Sequence, residues 1–220
     1  MTTRRFSEAG SVGFIEANIS RFEATAKLGL AETVDHFAAL AYDHDSSSIN
    51  TLTTIEFMLN VGDKAPDFKL TTITADGPAF VTLSENAGKT NTLILFFPMA
   101  FTGVCTQEFC DLTATLNDYT SLNATVIGIS GDNPFAQAAW ATKENIKVSL
   151  AADYEHEVAK AYGIAYDSFL PAKNLEMGGV PKRSAFIVDK EGTIQYAESN
   201  DNPGELPNFD AIKAKLGELA

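Results

Sequence analysis

Residues 93–97 read Leu-Ile-Leu-Phe-Phe without a polar interruption, the pattern of a strand buried on both faces. Residues 125–130, TVIGIS, repeat it. Between the two, the period changes to that of a helix over residues 106–119, with Phe109, Leu112 and Leu116 along one side. Asp132-Asn133-Pro134 supplies a cap and an N1 proline for a helix running through Trp140. A further helix is expected over residues 155–162, stopped by Gly163. Residues 185–188 and 193–196 are short strands around Asp189-Lys190-Glu191-Gly192, a hairpin loop with glycine near its end. Asn208 can cap a last helix with Phe209, Ile212 and Leu216 facing inward.

Strand, helix, strand, helix, then a hairpin and a helix describe an α/β sandwich of the thioredoxin-like type, a central mixed sheet flanked by helices. Its parallel half would be a right-handed βαβ unit. Residues 1–57 read differently. Val12, Ile15, Ile19, Phe22 and Ala26 fall at helical spacing, with Gly29 as a C-terminal cap. Val34, Phe37, Ala38 and Ala41 give a second amphipathic stretch, ended by the polar run from Asp43 to Ser48. The expectation is an N-terminal helical extension, 1–57, ahead of a domain over 58–220. Near the junction Ile55, Phe57, Leu59 and Val61 fall at a period of two, with polar Glu56 and Asn60 among the residues between, which predicts a strand before Gly62 and Pro66 break the pattern.

Composition narrows the class. Of 220 residues, 45% are apolar and 20% charged, an ordinary globular balance. No apolar run approaches the length that crosses a bilayer. Arg4 and Arg5 are not followed by a hydrophobic stretch of signal-peptide length, and acids come early at Glu8, Glu16 and Glu23, so a cytoplasmic protein is expected. The formal charge of −13 argues against nucleic acid as a partner, because phosphate backbones are met with clustered Lys and Arg. Two cysteines are too few for a disulfide scaffold. A close pair in a reducing compartment is more often catalytic or metal-binding.

Both cysteines follow the first buried strand, in FFPMAFTGVCTQEFC, residues 96–110. The end of that strand puts residues 98–103 at the carboxyl edge of the sheet, where open α/β folds carry their sites. Cys105 then falls in the first turn of the next helix, where free N–H groups and the positive dipole end favour a thiolate over a thiol. Thr102 is in reach of the same pocket. Pro98 shapes the loop without needing an N–H partner. In outline the arrangement fits a peroxide-reducing thiol site, which spacing alone does not establish.

Pro98-Met99-Ala100-Phe101-Thr102-Gly103-Val104-Cys105 matches the P-x-x-x-T-x-x-C signature of the peroxiredoxins without a mismatch. Glu108 stands where that family usually has a glutamate. Arg183 stands where it carries a distant arginine. The likeness covers about residues 58–220 and is similar to the AhpE-type branch in the phrases MLNVG, APDF and PGE. The resemblance implies that Cys105 is the peroxidatic thiolate, which attacks the terminal peroxide oxygen and becomes a sulfenic acid. It further implies that Thr102 hydrogen-bonds the peroxide, Arg183 stabilises thiolate and transition state, Pro98 shields the sulfur and Glu108 orients the arginine. Ionisation alone supplies a limited gain, since nucleophilicity falls with basicity. The larger share falls to donors aimed at the charge on the leaving oxygen.

Cys110 departs from the AhpE type. Its C-x4-C spacing resembles the PrxQ/BCP-type enzymes, which implies a resolving cysteine and an intramolecular disulfide. Residues five apart in an intact helix are about 8 Å apart, beyond disulfide reach, so the helix would have to unwind. The alternative is Cys110 as a small buried hydrophobe. As partners the resemblance implies a hydroperoxide and a thioredoxin, glutaredoxin or small-thiol reductant, in a monomer or homodimer.

Competing readings are weaker. Zinc would need two ligands beyond the cysteines, and His36, His44 and His156 are scattered singly as surface or core residues. C-x-x-C, the mark of a disulfide reductase, is absent. No flavin, haem or nucleotide motif is present, so no cofactor and no metal are expected, and Trp140 and Phe96-Phe97 read as core. A peroxide sensor relaying oxidation to a partner would use the same cysteines.

Overall fold

The computed structural model describes residues 57–220. Both helices expected in the N-terminal segment lie outside the described residues, as does Ile55. The described elements are β1 (Lys69–Thr74), β2 (Gly77–Thr82), β3 (Asn91–Phe96), α1 (Gly103–Ala114), α2 (Leu116–Ser121), β4 (Ala124–Ser130), α3 (Pro134–Glu144), β5 (Ser149–Ala152), α4 (Glu157–Ala161), β6 (Arg183–Val188), β7 (Ile194–Asn200) and α5 (Phe209–Leu219).

The strands form one mixed sheet in the order β2-β1-β5-β4-β3-β6-β7. β3, β4 and β5 run parallel, while β6 returns antiparallel on the other side of β3. Every residue of β3 is buried, as a strand covered on both faces requires. Alternation along it divides the core. Leu93, Leu95 and Phe97 join a cluster with Phe109, Leu112, Trp140, Ile212 and Leu216 from α1, α3 and α5. Ile94 and Phe96 join the opposite cluster with Val158, Ala159 and Tyr162, from α4 and its end. This is the thioredoxin-like sandwich. No helix among the described residues is long and apolar enough to cross a membrane.

Several expectations need correction. The strand over 55–61 is not formed in its described part: Phe57 and Val61 are exposed, while Met58 and Leu59 rest against the core. A backbone bond from Leu59 N–H to the Tyr162 carbonyl fixes that loop instead of a ladder. The helix over 106–119 starts earlier, at Gly103, and breaks at Thr115 into α1 and α2. Thr113 and Thr115 turn their hydroxyls back to the carbonyls four residues earlier, which competes with a straight helix. α3 extends past Trp140 to Glu144, ended by Asn145 in the left-handed region. The helix over 155–162 shortens to Glu157–Ala161. The hairpin β1–β2 and the short β5 were not expected.

Candidate active site

The carboxyl end of β3 delivers the chain to residues 98–102, and α1 begins at Gly103. Cys105 lies in the first turn and is buried, as is Pro98. Thr102 occupies the N-cap position of α1, with extended backbone, but its side chain makes no capping bond. Its hydroxyl instead donates to the Met99 carbonyl at 2.9 Å. Phe101, just before it, holds φ at +62°, a left-handed conformation that a bulky residue adopts only when its surroundings impose it.

α1 is clamped on the sheet by its inner face. Phe109 stacks edge-on against Phe97 and Trp140, with centroids 4.6 and 5.6 Å away. The strand beneath makes room for it: a Cβ on Gly128 would lie 2.5 Å from the Phe109 ring. The Trp140 indole N–H donates to Thr106 Oγ1 at 3.1 Å, satisfying its one polar atom and tying α3 to the turn that carries Cys105. Trp140 and Phe97 are core, as read from the sequence.

Register explains how Arg183 arrives from so far along the chain. β6 pairs antiparallel with β3, and Ser184 sits opposite Phe96. The N-terminal end of β6 therefore meets the C-terminal end of β3. Arg183 opens the strand rather than preceding it, and is 1% exposed. Its Nη2 donates to Cys105 Sγ at 3.2 Å. Its Nη1 is paired with Glu108 Oε2. Nε and Nη2 both donate to the Pro203 carbonyl, at 3.1 and 2.9 Å. The guanidinium is thus held on two sides and faces sulfur with the third.

Glu108 is one helical turn after Cys105 and equally buried, so both face the same way on α1. Burial pushes its carboxyl up to about 7, against the opposing pull of Arg183. Its other oxygen, Oε1, has no hydrogen-bond partner among the described residues, which adds to the desolvation. Cys110 is half-buried near the end of the same helix, with Sγ 3.8 Å from the Glu144 carbonyl. Both cysteines are free thiols.

The structure therefore brings Cys105, Arg183 and Glu108 into one contact set, flanked in the chain by Pro98 and Thr102. Cys110 stands apart on the intact helix. His156 is half-buried on α4's cap, and among the described residues no group of three or more His, Cys, Asp or Glu is arranged to hold a metal ion. Two contributors were not foreseen. The Pro203 carbonyl is a backbone acceptor, which no side-chain pattern reveals. Asp132, read as part of a helix cap, leaves capping to Asn133 and accepts the Ala100 N–H at 2.8 Å.

A buried thiol at the strand–helix junction of a thioredoxin-like sheet, contacted by an arginine, is what this geometry defines. Residues 61–197 match the AhpC/TSA family. The chain is 34% identical over 151 residues to alkyl hydroperoxide reductase E of Mycobacterium tuberculosis, across 68% of this chain and 90% of that protein. A peroxiredoxin-like protein from Aquifex aeolicus superposes with a TM-score of 0.62 at 28% identity, covering 76% of this chain and 91% of that one. The reduced 2-Cys peroxiredoxin of Plasmodium vivax gives 0.61 at 27% identity, over 71% and 79%. The chain belongs to the AhpC/TSA family and is a peroxiredoxin, a thiol-dependent peroxidase. Its substrate is a hydroperoxide and its electrons come from a thiol reductant.

Proposed function

We propose that Cys105 is the peroxidatic residue and that Arg183 is its principal electrostatic partner. The observation that carries this is the Arg183 Nη2 to Cys105 Sγ contact in a buried site. The thiolate attacks the terminal peroxide oxygen, the O–O bond breaks, and sulfur becomes a sulfenic acid. The leaving oxygen departs with the bonding pair and takes a proton, giving water or an alcohol. Charge moves from sulfur to that oxygen, so a cation beside sulfur in a low-dielectric site also meets the developing charge.

Thr102 supplies the second contact. With its own hydrogen given to the Met99 carbonyl, its oxygen keeps lone pairs to accept the peroxide O–H. Pro98, buried where β3 ends, presents no N–H and keeps water from the sulfur. Glu108 orients the guanidinium. Phe101 and Val104, exposed beside this turn, are compatible with organic as well as hydrogen peroxide.

Cys110 is proposed to resolve the sulfenic acid into an intramolecular disulfide, after the first turn of α1 unwinds. That turn begins with an exposed glycine and valine and lacks a side-chain cap, which eases its opening once the Trp140–Thr106 bond is released. A one-cysteine cycle is the second reading, supported by Cys110 lying in an unbroken helix against the Glu144 carbonyl. Thioredoxin, glutaredoxin or a small thiol would return the enzyme to its reduced state, in the cytoplasm, as a monomer or homodimer.

The test is chemical trapping. One equivalent of hydrogen peroxide added to Cys110→Ser, followed by dimedone, should label Cys105. No labelling while peroxide is consumed contradicts the assignment.

A further inference from the structure

The loop that carries Thr102 is fastened to the rest of the fold by a side chain outside the peroxiredoxin signature. Asp132 follows β4, across the sheet edge from residues 98–102. Its Oδ2 accepts the Ala100 N–H at 2.8 Å and, on the same oxygen, the Ser130 hydroxyl at 2.7 Å. The line continues inward. Gln137 on α3 donates through Nε2 to Ser130 Oγ at 2.9 Å and to the Ala151 carbonyl of β5 at 3.1 Å. Ser130 and Gln137 are 0% and 1% exposed, so these bonds are made away from water and rigidify the group they join.

The position of the anchored N–H matters. Ala100 is buried, so its N–H requires an acceptor. The next residue is Phe101, with its φ of +62°. A left-handed phenylalanine between a buried alanine and the threonine of the site persists only where its neighbours are fixed on both sides. On the far side, Thr102 is fixed by its carbonyl, which accepts Thr106 N–H at 2.9 Å in the first turn of α1. On the near side, the fixing group is the Asp132 carboxylate. A carboxylate accepting a backbone N–H makes one of the stronger hydrogen bonds available to a loop.

We infer that Asp132, braced through Ser130 and Gln137, is a positioning residue for peroxide reduction: it holds Ala100 so that Phe101 keeps its turn and Thr102 meets the substrate. This rests on the assignment of Cys105 and Thr102 made above. Asp132 acts through the loop rather than on sulfur. Releasing it disturbs the donor–acceptor geometry that peroxide needs while leaving the Arg183 contact to sulfur in place.

That separation supplies the readout. Peroxide reduction requires the loop geometry, whereas alkylation of Cys105 by iodoacetamide reports the sulfur's own nucleophilicity. Asp132→Ala should lower the second-order rate constant with hydrogen peroxide by at least about tenfold, with alkylation changed less than about twofold. Asp132→Asn keeps an oxygen that can accept both hydrogens and should recover most of the peroxide rate. If Asp132→Ala does not fold, Ser130→Ala is the milder variant, expected to lower the peroxide rate several-fold with alkylation again spared. An unchanged peroxide rate in the folded variants overturns the inference. So does a parallel fall in both rates, or an Asp132→Asn protein no better than Asp132→Ala. Dimedone labelling of Cys105 in Cys110→Ser, run alongside, tests the underlying assignment separately.

Discussion

Arg183 and Cys105 are 78 residues apart in sequence, yet Nη2 of the one is 3.2 Å from Sγ of the other. Two independent pieces of the fold create that contact. The antiparallel return of β6 beside β3 brings the arginine to the sheet edge, and the start of α1 brings the cysteine. Glu108 and the Pro203 carbonyl then fix the guanidinium, so its direction toward sulfur is set before any substrate arrives.

Charge without the planar fork should therefore be insufficient. Lysine at position 183 has one nitrogen centre and cannot bond sulfur, carboxylate and carbonyl from three sides. Arg183→Lys is expected to slow Cys105 oxidation by on the order of a hundredfold. Stopped-flow measurement of the second-order rate with hydrogen peroxide checks this. A rate within about twofold of wild type would assign Arg183 to structure.

The burial of Glu108 should give stability a pH dependence of definite sign. Its carboxyl is raised from 4.5 to about 7 by burial, so the folded state binds the proton more tightly than the unfolded state. Its stabilising contribution is complete below about 4.5 and is lost as pH rises through about 7. Wild type should therefore lose thermal stability relative to Glu108→Gln between about pH 5 and pH 8. Tm values of the two proteins across that window decide it. A flat difference, or wild type gaining with pH, contradicts the burial argument.

Oxidation with one equivalent of peroxide should join Cys105 to Cys110. Peptide mass mapping of the monomer should find both cysteines in one fragment, two hydrogens lighter. Far-UV circular dichroism should lose helix at the same time, because α1 must open to bring the sulfurs within reach. A persistent sulfenic acid with unchanged helix supports the one-cysteine cycle instead.

All the groups assigned roles lie between Pro98 and Pro203. A chain beginning at Met58 is accordingly expected to fold and to reduce peroxide at a rate close to that of the full chain. A folded but inactive shortened chain would show that the N-terminal segment contributes to the site.

Much of this was legible because local chemistry and tertiary position agreed. The unbroken run at 93–97 became the fully buried β3. Asn133 with Pro134, Asn208, and Gly192 at a φ of +77° capped or turned where expected. The signature cysteine fell in the first turn of its helix. Other parts were illegible for physical reasons. β1 and β2 form a hairpin at the sheet edge, where half-exposure weakens the apolar alternation. β5 has only four residues, SLAA. Residues 57–61, the described part of the alternating stretch, form no strand, because Met58 and Leu59 bury on the core from a loop. In the proposed site, Cys105, Arg183 and Glu108, which the structure brings into contact, and Thr102, which it places at the N-cap of α1, were all named from the sequence. The Pro203 carbonyl carries no side-chain signal. Asp132 carries a misleading one, since aspartate before Asn-Pro suggests a cap.

The most direct test of the central claim is hydrogen peroxide consumption by Cys105→Ser with dithiothreitol as reductant, beside wild type and Cys110→Ser. Serine preserves the size of the side chain and removes the sulfur nucleophile. The folded Cys105→Ser protein should show no turnover above the reductant-only background, while Cys110→Ser retains its first oxidation step. Turnover by Cys105→Ser near the wild-type rate would contradict the account.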